Sequence, residues 1–230
     1  MARISKEHNV RKKEIADAAQ ALFYQQGFSK TSVNLIIEKV GISKGTFYHY
    51  FKSKEDLLDS IMQDFTKQIL EKLEPVVNDK NLNAIEKLNK VYIISGMYKV
   101  ENFQLMSTLL KIFLDDSNLL LRNKMKLESI EKTIPIFTQI LKQGKSEGVF
   151  DIELPKETAE MILHFGNSLS DITGKFFLEA NENPENINKL VTHFEIYRTS
   201  VERILGAPKN SITVMDGNFV KLLTENKYEN

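Results

Sequence analysis

Residues 31–58 read TSVNLIIEKVGISKGTFYHYFKSKEDLL. Val33, Ile36, Ile37 and Val40 recur at helical spacing, and Thr31 or Ser32 stands where an N-cap belongs. Gly41 ends that short helix and can take a positive φ at little cost, so the chain can turn sharply within a few residues. Ser43 then caps a further short helix over about 44–50. Ile42 is placed to plug the small core between the two, with Ile36, Ile37, Phe47 and Phe51 as neighbours. Two short helices joined by a tight glycine turn describe a helix-turn-helix.

The pattern extends in both directions from this segment. Upstream, Ile15, Ala18, Ala19, Leu22 and Phe23 make one apolar stripe on a helix over about 10–26, which Gly27 stops. Downstream, Ser53 caps a fourth helix over about 54–73, with Glu55 and Asp56 in its first turn, where carboxylates suit the helix dipole. Its apolar positions are Leu57, Leu58, Ile61, Met62, Phe65 and Ile69. Pro75 and the polar run 78–81 predict the next break. Helices are then expected at about 83–98, 101–115, 118–147, 156–180 and 185–205. Pro135 should kink or divide the third of these, Gly144 and Gly148 should end it, and Pro155 and Pro184 fall near helix starts. No alternating strand pattern competes. The expected fold is all-α: an N-terminal three-helix helix-turn-helix domain over 1–53 and a larger C-terminal helical domain over 54–206, with the helix 54–73 linking the two. Residues 207–230 form a tail in which Phe219, Val220, Leu222 and Leu223 suit either a short packed helix or a loose end.

Composition narrows the function. The chain has 230 residues, 42% of them hydrophobic, with only 10 Gly and 5 Pro. That supplies a real core and long elements with few turns. There is no cysteine, which excludes disulfides, thiolate metal ligands and a cysteine nucleophile and fits a reducing compartment. Residues 1–13 are polar and basic, without the apolar region of a secretory signal, and no apolar run reaches the length of a membrane span. A cytoplasmic protein without a membrane partner is expected. No phosphate-cradling glycine loop, nucleophile elbow or metal-spaced ligand set is present, and His8, His49, His164 and His193 are scattered. An enzyme is therefore not expected, nor is a metal or cofactor. Charge points elsewhere. Of 31 basic and 31 acidic residues, ten bases but only four acids fall within 1–54, leaving 21 bases against 27 acids in the rest. A basic head on an acidic remainder suits contact with a polyanion.

The outward positions of the second short helix agree with that charge. Lys44, Gly45, Thr46, Tyr48, His49 and Tyr50 are small residues or hydrogen-bond donors, and a helix N-terminus with free amides, a lysine and a glycine suits a phosphate-lined groove. At this point the segment resembles the tetracycline-repressor (TetR) family pattern T-x-x-x-I-A-x-x-A-G-V-S-x-G-x-x-Y-x-x-F-x-x-K-x-x-L. Ser32 replaces the threonine, and Ile36, Gly41, Ser43, Gly45, Tyr48, Phe51, Lys54 and Leu57 follow in register. Ile37 and Val40 stand where alanines are usual, and Ile42 where valine is, which thickens the core between the helices. The resemblance implies a sequence-specific regulator of transcription, a repressor by the family's habit, bound to a palindromic operator in double-stranded DNA. Lys44, Gly45, Thr46 and His49 would then lie in the major groove, with Lys44 and Thr46 touching base edges. Tyr48, Tyr50, Lys54 and the hydroxyl of Thr31 or Ser32 would hold phosphates, with Ser43 at the helix start between them.

The same resemblance implies a homodimer built through the helices over about 156–180 and 185–205, so that two reading helices enter major grooves about 34–36 Å apart. Gly166, Ser168, Ser170 and Gly174 are small enough for close approach of a partner backbone. It also implies a small-molecule effector. Met97, Tyr98, Phe103, Met106, Phe113, Phe137, Met161, His164 and Phe165 are the candidate lining of a largely apolar pocket, and the same residues also suit an ordinary helical core. A second reading keeps DNA binding and gives the C-terminal domain a protein partner instead of a small molecule.

Overall fold

In a computed structural model, residues 2–180 and 183–215 are described. Among these the chain forms nine α-helices, one 3-10 turn at Asp116–Asn118 and no strand. The helices are α1 (Ala2–Gln26), α2 (Val33–Val40), α3 (Lys44–Tyr50), α4 (Lys54–Asn78), α5 (Ala84–Glu101), α6 (Phe103–Leu114), α7 (Leu119–Glu147), α8 (Pro155–Leu178) and α9 (Glu185–Leu205). The all-α expectation holds. The readings for Phe219, Val220, Leu222 and Leu223 lie outside the described residues. No helix among the described residues is long and apolar enough to cross a membrane.

Where capping chemistry marks a boundary, the helix stops and starts there. Ser32 is the cap of α2, its Oγ accepting from the Leu35 amide, and Gly41 closes the helix at φ 71°. Ser43 caps α3 through the Thr46 amide at 3.0 Å. Ser53 accepts from the Asp56 amide at 3.1 Å, and Asp56 accepts from the Lys52 amide at 2.8 Å, so the entry to α4 is tied twice. Asn83 and Glu86 form a reciprocal capping box at the start of α5.

Two boundaries differ from the sequence reading, and a third helix is not divided. Helix α1 begins at Ala2 rather than near Val10. Helix α4 runs through Pro75 to Asn78, and α7 runs unbroken through Pro135. Each proline removes one amide donor from the ladder, but both prolines, and Glu71 and Glu131 whose carbonyls lose that donor, are exposed. Water can therefore satisfy the freed oxygen, and the helix continues.

The chain forms two compact units. Among the described residues, the first comprises 2–65 and Gln104–Met125, and the second Thr66–Phe103, 126–180 and 183–215. The first unit's core gathers Ile15, Ala19 and Phe23 of α1, Ile36 of α2, Phe47 of α3, Phe51, Leu57, Leu58 and Ile61 around Leu109, Ile112 and Met125. Asp59 is also buried there and takes the Lys124 ammonium at 3.1 Å. The second unit's core runs from Leu73 and Val77 of α4 through Leu88, Val91, Ile140, Leu141 and Ile162 to Val201 and Leu205 of α9. Within it α8 packs on α9, with Phe165 and Tyr197 at 5.1 Å between ring centroids. Buried Lys87 donates to the Val77 carbonyl at 2.7 Å, which places a cation on the last turn of α4. The segment after α9 is also held: Asn89 brackets it through the Ser211 carbonyl and Thr213 amide, Glu202 accepts the Ile212 amide, and Ile212 and Val214 are buried.

Gly144 sits inside α7 because the Phe150 ring lies over it. A Cβ built there would come within 2.0 Å of the ring. An alanine in a helix normally stabilises relative to glycine, but here overpacking prevails. Gly144→Ala is expected to lower stability by about 1–3 kcal/mol, read as a lower urea midpoint, and Gly144→Ala with Phe150→Leu should recover part of the loss. An unchanged midpoint in the single variant would mean that the ring does not hold this position.

Candidate nucleic-acid interface

Helix α3 has only seven residues, and its two faces are sorted by four-residue spacing. Phe47 is fully buried and Phe51, just beyond the helix, is 2% exposed. Lys44, Gly45, Tyr48 and His49 are exposed, while Thr46 and Tyr50 are half-buried. The buried rings pack 5.9 Å apart, and Tyr48 meets Phe47 edge-on at 5.4 Å. The structure therefore brings the sequence-predicted Lys44, Gly45, Tyr48 and His49 to one open surface. The Thr46 hydroxyl lies 2.8 Å from the Ser43 hydroxyl, so the two act as a unit at the helix start.

Thr31 and Ser32 divide the roles that the sequence left shared. Thr31 is 1% exposed. Its hydroxyl donates to the Gly27 carbonyl at 2.8 Å and accepts from Gln26 at 3.2 Å, so it holds the α1–α2 turn from inside. Ser32 is the exposed one, and its O–H remains available while its oxygen caps α2. Lys54 is similarly anchored. Its ammonium donates to the Phe28 carbonyl at 2.7 Å and lies 4.1 Å from the Phe28 ring centroid. Burial pulls its pKa below the usual lysine range, opposed by Glu55. One donor thus ties α4 to the turn after α1.

One residue at this surface was not singled out from the sequence. His8 of α1 places its ring 4.6 Å from Tyr50 and 5.7 Å from His49. No periodicity marks it, because it lies two turns ahead of Ile15, where the apolar stripe begins.

The candidate effector residues are distributed between the two units. Met106 and Phe113 pack against the first unit's core. In the second unit Tyr98 is buried and donates to Gln68 at 2.6 Å, Phe103 stacks at 5.3 Å on Phe177, and Met97 is half-buried. Phe137 lies 5.9 Å from Tyr92, and Phe165 packs on Tyr197. Met161 is 66% exposed and His164 is exposed as well. Between Phe137 and Phe165 lie two phenols that sequence reasoning passed over: the Tyr92 and Tyr197 hydroxyls are 3.3 Å apart, and Tyr197 donates to the Ile162 carbonyl. Burial pushes the Tyr197 phenol up to about 12 and raises Tyr92 as well, so both stay neutral near pH 7. A Cβ on Gly166 would stand 3.1 Å from the Tyr197 hydroxyl, which explains that glycine by packing within the chain. An open groove of about 440 Å³ on the same unit is lined by Ile134, Pro135, Thr138, Gln139, Lys142 and Lys156, none of which belongs to the candidate set.

Comparison with known proteins agrees with this geometry. Residues 15–61 match the family model described as bacterial regulatory proteins, tetR family, and residues 114–195 match a tetracyclin repressor-like C-terminal domain. The fatty acid metabolism regulator protein of Bacillus subtilis is 31% identical over 136 residues, 59% of this chain and 68% of that protein. The transcriptional repressor KstR2 of Mycobacterium tuberculosis is 27% identical over 165 residues, covering 67% of this chain and 76% of KstR2. Among solved structures, the fatty acid degradation regulator FadR from Bacillus halodurans superposes with a TM-score of 0.62 at 22% identity, covering 86% of this chain and 96% of FadR. SmeT of Stenotrophomonas maltophilia in complex with triclosan gives 0.61 at 21% identity, covering 89% and 97%. With its helix-turn-helix in α2 and α3 and helical units of this kind behind it, the chain belongs to the TetR family of bacterial regulatory proteins.

Proposed function

We propose that this chain is a dimeric transcriptional repressor that binds a palindromic operator through α3 and leaves it when a small, largely apolar effector binds the second unit. The observation that carries the reading is the sorting of α3, with Phe47 and Phe51 committed to the core and Lys44, Gly45, Tyr48 and His49 left open. In this reading Lys44 and Thr46 touch base edges. Ser32, Tyr48, Tyr50 and the remaining hydrogens of Lys54 hold phosphates on either side, and Thr31 positions Ser32 from beneath.

Gly45 supports the assignment independently. The nearest atom to a Cβ built there is Ser43 Oγ at 3.8 Å, an ordinary contact. Nothing within the fold asks for glycine, which costs a helix up to about 1 kcal/mol. What a missing side chain serves here is close approach of something outside the chain, as a DNA backbone requires.

Dimerisation is assigned to α8 and α9. Met161 and Ile172 of α8, and Ile196 and Ile204 of α9, are large apolar side chains with more than two-fifths of their surface exposed. Such side chains on two packed helices suit burial against a second copy. Effector binding is supported by the named roles of the relatives in fatty acid metabolism and by the triclosan complex of SmeT. Helix α4 begins in the first unit and ends in the second, as α7 does, and α4 is the covalent route that leads directly from α3 to the second unit. An effector moves this equilibrium only by its differential affinity for the two states.

Three outcomes are expected. Wild-type protein incubated with sheared genomic DNA should enrich a short palindrome that the Lys44→Ala, Tyr48→Ala variant does not, whereas uniform salt-sensitive recovery would leave only charge attraction. Gly45→Ala should raise stability by up to about 1 kcal/mol in urea unfolding yet weaken binding to the recovered palindrome several-fold. Equal affinity would remove Gly45 from the interface. Met161→Asp with Ile196→Asp should give monomers by sedimentation and lose the palindrome, and a variant that stays dimeric would move the interface elsewhere.

A further inference from the structure

The histidines that the sequence scatters are not scattered in space. His8 and His49, 41 positions apart on α1 and α3, meet edge-on at 5.7 Å between ring centroids. Tyr50 completes the cluster, 4.6 Å from His8 and 5.1 Å from His49. Both imidazoles are exposed, and among the described residues neither holds a hydrogen bond or an ion pair. The cluster borders the open surface of α3. Around it, Arg11 of α1 is bound to Glu14 at 2.6 Å and Lys12 lies over the Phe51 ring. Lys44 and Lys52 are exposed, while Asp56 already accepts from the Lys52 amide. Of the carboxylates, Glu14 is held by Arg11 and Asp56 by the Lys52 amide, and Asp17 is exposed.

Two imidazolium rings this close repel each other unless an anion lies between them. A DNA phosphate is such an anion, and it accepts hydrogen bonds from two imidazolium N–H groups more strongly than from neutral rings. We propose that His8 and His49 together form a proton-dependent site for a backbone phosphate of duplex DNA, with His8 bringing α1 into the interface. The proposal rests on the DNA-binding reading above. Its sign follows from linkage: phosphate favours the protonated pair, so binding takes up protons. Affinity is highest at about pH 6 and falls toward about pH 8 as the pair loses its protons. Asp, Glu, Lys, Arg and the phosphodiester keep their ordinary charges across that window.

The test uses the full-length protein and a fluorescein-labelled random-sequence duplex of about 30 base pairs at low, fixed ionic strength, read by anisotropy between about pH 6 and pH 8. Wild type should bind roughly tenfold tighter at the acid end, with a steeper salt dependence there by about one phosphate contact. His8→Gln should cut that ratio to roughly threefold and the double variant His8→Gln, His49→Gln should abolish it, with helical circular dichroism unchanged. His8→Lys supplies a permanent charge and should raise affinity at pH 8 toward the wild-type value at pH 6, a gain that a merely structural role for His8 would not give. A His8→Gln variant that keeps the full wild-type ratio overturns the proposal. Failure of wild type to bind the duplex at either pH overturns the DNA-binding reading beneath it.

Discussion

Burial of Phe47 and Phe51 is the constraint on which the reading surface depends. Seven residues of isolated helix do not hold together in water, because nucleation is costly and few backbone bonds repay it. Helix α3 therefore exists because its apolar face is fixed among Ile36, Leu57, Leu58 and the α1 stripe. Truncating either ring would cost about 3–5 kcal/mol in a core of this kind. The same burial sets rotation: with positions 47 and 51 inward, 44, 45, 48 and 49 have nowhere to point but out. Packing thus decides which side chains are available for recognition before any partner is present.

Legibility from sequence followed the nature of each signal. Ser32, Gly41 and Ser43 mark helix ends by local chemistry, and α2 and α3 lie where those residues place them. The apolar stripe begins only at Ile15, so the helix was expected from about residue 10, whereas α1 starts at Ala2. Pro75 misled for the opposite reason, and Pro135 does not divide α7. A proline is a strong local signal, but its cost depends on whether water can reach the abandoned carbonyl, and that is a tertiary fact.

Side-chain roles were legible where one pattern had one explanation. Lys44, Tyr48, Phe47 and Phe51 sorted correctly between outside and inside from spacing alone. Thr31 and Ser32 could not be separated, since either hydroxyl can cap and only the fold turns one inward onto the Gly27 carbonyl. Gly166 read as a close-approach residue for a partner helix, yet the atom nearest its missing side chain is the hydroxyl of Tyr197 in the same chain. The pairings of Tyr92 with Tyr197 and of His8 with His49 were invisible because they join residues 105 and 41 positions apart, with no motif linking them.

The formal neutrality of the chain conceals the quantity that matters for a polyanion. Residues 1–54 carry a charge of about +6 and the remainder about −6. A dimer would bring two such heads to one duplex while the other three-quarters of each chain carries net charge of the opposite sign. Non-specific attraction then comes from the heads alone, and the acidic remainder opposes adhesion in any other orientation. A uniformly basic protein of this size would bind DNA more tightly but less selectively, since phosphate contacts carry no sequence information. Keeping the basic charge local leaves a larger share of the discrimination to the few side chains that Phe47 and Phe51 hold outward.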